Sequence, residues 1–200
     1  MKALNTLMVA MAVCAASLTA QAADDTFASL TYGQTSDKVR KSGLLQRNTE
    51  HLNTDGIIGK DGTWGVRLGK INDDARYYMT YDNVSGDHSG IKLRQENLLG
   101  SYDRFLPVGD TTKLFGGASL GLTKLTQEST GYSRDTDLGY AVGLQAGVLQ
   151  QITDNASVEL GYRYLRSNAS TELAEHGAAK AGALRLTSSA QTYLSANYSF

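Results

Sequence analysis

The sequence predicts an all-β chain, an eight-stranded antiparallel transmembrane β-barrel. Three observations predict it. Apolar residues recur at every second position in segment after segment, the connections alternate between short and long, and the polar phase carries glycine, serine and threonine rather than lysine and glutamate. Alternation with a period of two marks a strand, because a helix repeats its apolar face every three or four residues.

In order along the chain, Ala28, Leu30 and Tyr32 alternate with Ser29, Thr31 and Gly33. Trp64, Val66 and Leu68 alternate with Thr63, Gly65 and Arg67, and Tyr77, Met79 and Tyr81 with Arg76, Tyr78, Thr80 and Asp82. Around Leu93–Phe105 the phase is weaker: Leu98, Gly100 and Tyr102 face one way, but Leu99 interrupts the polar side. The rhythm returns at Leu114–Leu122 and is clearest at Leu138, Tyr140, Val142, Leu144, Ala146 and Val148. Val158, Leu160, Tyr162 and Tyr164 then oppose Glu159, Gly161, Arg163 and Leu165, and the last strand sets Leu194, Ala196, Tyr198 and Phe200 against Tyr193, Ser195, Asn197 and Ser199. Connections at Asn72–Ala75, Leu106–Thr112 and Thr153–Ala156 are short and rich in turn formers. Those at Thr35–Gly62, Ser85–Ile91, Thr126–Thr136 and Arg166–Arg185 are longer and polar, the last with room for a hairpin extension or a short helix. Even strand number with short turns at one end and long loops at the other is the layout of a bacterial outer-membrane barrel.

The N-terminus fits export. Lys2 is followed by an apolar run to Ala20, then the small-x-small site Ala20-Gln21-Ala22, which reads as a signal peptide over residues 1–22 with the barrel domain over 23–200. Cys14, the single cysteine, lies in that leader, so no disulfide, thiolate nucleophile or cysteine metal site is expected afterwards. Lys and Arg number 19 against 20 Asp and Glu, a near balance that argues against nucleic acid as a partner.

Alternation alone does not say which face meets lipid, since a soluble lipocalin-type barrel alternates as cleanly. The small polar residues of one phase suit a cramped lumen. The aromatic residues Trp64, Tyr77, Tyr102, Tyr162, Tyr164 and Tyr198 lie on the other phase, as a headgroup girdle would. A charge placed at Leu144 is therefore expected to ruin assembly, and one at Gly143 to be borne more easily. The C-terminal pattern Leu194-x-Ala196-x-Tyr198-x-Phe200 resembles the insertion signal read by the barrel assembly machinery. The segment Glu159-Leu160-Gly161-Tyr162-Arg163-Tyr164 resembles the GYRY strand of the superfamily that includes OmpA transmembrane domains and the OmpX/Ail proteins. That resemblance implies a monomer in the outer membrane, surrounded by lipid and lipopolysaccharide, and a role in envelope integrity or adhesion.

Eight strands leave a lumen that side chains can fill. The inward phase carries the charges Arg67, Arg76, Asp82, Glu159 and Arg163. Counting ~3.4 Å per residue with a tilt of about 40° puts Asp82 and Arg163 at a similar height, roughly 18 Å above their turns. A static plug of paired charges is favoured over a gated solute passage. The histidines, His51, His88 and His176, fall in the long loops, and Asp87-His88-Ser89 lacks the spatial arrangement that nucleophilic catalysis needs. No cofactor or metal motif stands out, so a lipid A-modifying enzyme ranks last. In the first long loop Lys38, Arg40, Lys41 and Arg47 are candidate contacts for lipopolysaccharide phosphates or for a host or phage ligand.

Overall fold

The fold is that of a computed structural model, which describes residues 25–41, 56–88, 91–129, 135–174 and 180–200. The predicted leader and Arg47, His51 and His176 lie outside those residues, as do the side chains of Arg40, Lys41 and His88. The strands are β1 (Thr26–Lys41), β2 (Gly56–Ile71), β3 (Ala75–His88), β4 (Ile91–Pro107), β5 (Thr112–Ser129), β6 (Asp135–Gln151), β7 (Ala156–Ser167), β8 (Ser170–Ala174) and β9 (Lys180–Ser199). Each pairs antiparallel with its neighbour, and β1 pairs with β9 from Phe27↔Ser199 to Lys41↔Leu184, which closes the sheet. β7 and β8 are two pieces of one stave, so the wall has eight.

Closure answers where the backbone hydrogen bonds go: every stave has two neighbours, as a hydrocarbon surround requires. Register sorts the side chains. The row Leu30, Val66, Tyr81, Leu98, Leu122, Tyr140 runs side by side across β1–β6 and faces outward. Directly beside it, Thr31, Gly65, Asp82, Asn97, Thr123 and Gly139 face the lumen. A slip of one residue would exchange the two rows, so the pattern pins the pairing. The outward residues are exposed and apolar all round the barrel, Leu120, Leu144, Leu160 and Leu194 among them. Such a band would be an aggregation liability in water and finds its solvent in lipid.

The short turns are built as their residues suggest. Asn72 Oδ1 accepts hydrogen bonds from the Asp74 and Ala75 amides at 3.0 and 2.7 Å, and Thr153 Oγ1 accepts one from Ala156 at 3.0 Å. At the other end the strands climb much further than the alternation predicts. β3 and β4 pair up to His88↔Ile91, so most of the expected Ser85–Ile91 loop is strand. The Arg166–Arg185 loop is the hairpin extension, β8 against upper β9, rather than a helix over its described residues. Polar residues on both faces hid these segments, because above the bilayer neither face of a strand meets hydrocarbon.

Candidate functional site

The lumen is filled in layers. Nearest the short turns, Phe105, Phe115, Leu149 and Tyr193 form a buried apolar floor, with Phe27 beside Tyr78. Packed among these rings lies a chain of ions. Glu159 accepts from Arg67 Nη1 at 2.8 Å and from Arg76 Nη1 at 2.6 Å. The Arg76 Nε group donates to Asp103 Oδ2 at 2.8 Å. Asp103 is also held by the Tyr78 hydroxyl at 2.9 Å and by Gln145 Nε2 at 2.7 Å, and Ser119 donates to Gln145 Oε1. A second pair, Arg163 Nη1 and Asp82 Oδ2, stands 3.0 Å apart without the alignment of a hydrogen bond. Three guanidinium groups thus meet three carboxylates and the set is neutral, the condition under which buried ions are tolerated.

Ring faces complete the packing. The Arg67 guanidinium lies 4.4 Å from the Tyr193 centroid and 5.3 Å from that of Tyr78, and Arg76 lies 4.7 Å from Phe115. A desolvated cation over an aromatic face is worth about 2 kcal/mol or more. Two glycines make the room: a Cβ on Gly161 would run into the Tyr193 ring, and one on Gly147 into Phe115. Above the ions, Leu99 packs with Ala141 and Leu165, so the residue that broke the polar phase of its strand is a lumen residue. Asn97 Oδ1 then accepts from Gln95 Nε2 at 3.0 Å and Thr123 Oγ1 at 2.8 Å.

The five lumen charges predicted from sequence, Arg67, Arg76, Asp82, Glu159 and Arg163, all point inward and are buried. Asp103 was missed. Its signal was present, since it sits opposite the Leu98, Gly100, Tyr102 phase, but the weak alternation of that strand obscured it. The expectation for Gly143 is corrected. It does face the lumen, yet an added Cβ would meet the Tyr164 carbonyl oxygen and Leu165 Cδ2, so no larger residue, charged or not, fits there.

Outside, Trp64, Tyr77, Tyr102, Tyr162, Tyr164 and Tyr198 all face away from the lumen. Tyr77, Tyr102 and Tyr198 stand toward the short turns, Trp64 and Tyr164 toward the far end, and Tyr162 between. Tyr32, 70% exposed, and Tyr140 belong to the same surface. Leu194, Ala196 and Tyr198 of the C-terminal pattern face outward too, and Phe200 closes the seam by donating its amide to the Thr26 carbonyl at 2.9 Å.

Where the apolar band ends on the loop side, the outward positions turn cationic. Lys38 of β1 and Arg166 of β7 flank Ser188 of β9 in one row, both exposed. Across the barrel, Arg94 and Lys124 flank Glu96, with contacts of 3.1 and 3.4 Å, and the Tyr81 hydroxyl donates to Glu96 at 2.7 Å. Lys38 was foreseen. Arg94, Lys124 and Arg166 were not, because each reads singly in sequence and only the register groups them.

No protein-family model and no curated protein sequence matches the chain. Solved structures do. Outer membrane protein H (OprH) from P. aeruginosa, in DHPC micelles, is 58% identical, with a TM-score of 0.57 over 88% of this chain and 99% of that one. Neisserial surface protein A (NspA) is 14% identical, with a TM-score of 0.66 over 88% and 97%. The outer membrane protein OprG from Pseudomonas aeruginosa is 13% identical, with a TM-score of 0.52 over 88% and 97%.

Proposed function

Since this chain belongs to the family of small outer-membrane barrels that contains outer membrane protein H of P. aeruginosa, we propose that it is a non-enzymatic surface protein whose outer rim holds lipopolysaccharide and so strengthens the envelope. The observation that carries this reading is the placement of Lys38, Arg166, Arg94 and Lys124 on the outward face, at the upper border of the apolar band. At that depth a lipid's acyl chains lie against Leu98, Leu122 and Tyr164 while its phosphates reach the cations. A guanidinium or ammonium to phosphate is a charge-assisted bond, about twice the strength of a neutral one. Glu96 supports the reading as a neighbour that keeps Arg94 and Lys124 close together when no phosphate is present. The packed lumen supports a wall-bound role over a solute passage.

Binding of purified lipopolysaccharide to the folded barrel in micelles tests it. Replacing Lys38, Arg94, Lys124 and Arg166 together by glutamine is expected to weaken binding at least tenfold and to flatten its dependence on salt. Equal binding by the quadruple variant and the unaltered protein would remove the proposal. Deacylation of lipid A by the unaltered protein would instead make it an enzyme.

A further inference from the structure

The barrel wall is not uniformly zipped. β2 and β3 pair only as far as Gly62↔Ser85, although β2 continues to Gly56 against β1 and β3 continues to His88 against β4. β6 and β7 pair only as far as Ala141↔Ser167, although β6 continues to Asp135 against β5 and β8 stays with β9. Four staves separate these two seams in either direction, so they lie on opposite sides of the barrel. Above them the wall consists of two four-stranded leaves, β3–β4–β5–β6 and β8–β9–β1–β2.

Each seam is closed by side chains instead of a ladder. At one, Asn168 Oδ1 accepts from the Tyr140 amide at 2.8 Å, and Asp137 Oδ2 accepts from the Ser170 amide at 2.7 Å. The return bond from the Asn168 amide to the Tyr140 carbonyl is long, 3.4 Å. A Cβ on Gly139 would collide with Asn168 and Ala169, so the glycine is what lets the linker fold over β6. At the other seam the Asp61 carboxylate reaches across and lies on Gly86, where a Cβ would collide with it. Across the lumen Gln95 Nε2 donates to Ser189 Oγ at 3.4 Å. Below both seams, by contrast, the ion chain and the aromatic floor bind opposite walls firmly.

We propose that the extracellular end of the barrel is a two-leaf mouth, hinged at the Gly62–Ser85 and Ala141–Ser167 pairs, that parts to expose Gln95, Asn97, Thr123 and Ser189 to solvent while the floor stays shut. A ladder edge held by side chains opens at lower cost than a continuous strand pair, and such regions are where local opening begins.

Hydrogen exchange on the unaltered protein in micelles tests this directly. The seam amides of Tyr140, Asn168 and Ser170 are expected to exchange at least tenfold faster than the most protected amides of β4 and β5 between Arg94 and Thr126. Spin labels on Thr136→Cys and Ser170→Cys read the gap between leaves. A broad or two-peaked distance distribution is expected, shifting to longer distances in Asp137→Ala/Asn168→Ala. Uniform protection across the seams, or one narrow distance unmoved by the double substitution, overturns the two-leaf mouth.

Discussion

At the residue scale, the lumen shows how pairing makes buried charge tolerable. Glu159 serves two guanidinium groups, so its loss leaves Arg67 without a carboxylate and Arg76 with Asp103 alone. Glu159→Ala is expected to destabilise the barrel by about 3–5 kcal/mol, the usual cost of orphaning a buried ion. Urea unfolding, followed by the shift in gel migration between folded and unfolded forms, measures it. Gly161 and Tyr193 make a second test of contact. Gly161→Val forces a branched side chain into the space of the tyrosine ring and should slow or prevent folding, whereas the pair Gly161→Val/Tyr193→Ala should recover part of that loss. Strict additivity of the two substitutions would show that the ring and the glycine do not share space.

At the element scale, each strand carries two solvents on its two faces. Leu144, 69% exposed, looks into hydrocarbon, and Leu144→Lys is expected to cost about 2–4 kcal/mol if it lies near the midplane. Gln191 is buried on the lumen face, next in register to Arg163. Gln191→Glu keeps the shape and adds a charge opposite to that of its neighbour, so refolding yield should hold. The comparison replaces Gly143, where shape rather than charge decides. Alternation revealed the two faces only where one of them meets lipid. It therefore marked the lower part of each strand and missed the upper parts of β1, β2, β3, β5, β6 and β9, which fell in the expected long loops.

At the scale of the whole molecule, closure and filling act together. A closed eight-stave wall should give heat-modifiable migration, the unboiled protein running ahead of the boiled one in a detergent gel. The floor and ion layers should give no large, stable conductance in a planar bilayer. A stable open channel in the unaltered protein would mean that the layers do not seal. The cations of the rim belong to this scale as well, since Lys38 and Arg166 lie over a hundred residues apart in sequence and meet only because β9 stands between their strands.

The sequence by itself determined the fold class, the lipid-facing and lumen-facing phases, the location in an outer membrane and five of the seven buried lumen charges among the described residues. All of these follow from a period of two read against two solvents, which is local information. Only the tertiary structure decided which ions pair, where glycine yields its space to a ring, how the rim cations group and where the wall divides into leaves. Those depend on register around a closed and staggered sheet, in which a residue's neighbours are set by strands far away in the chain.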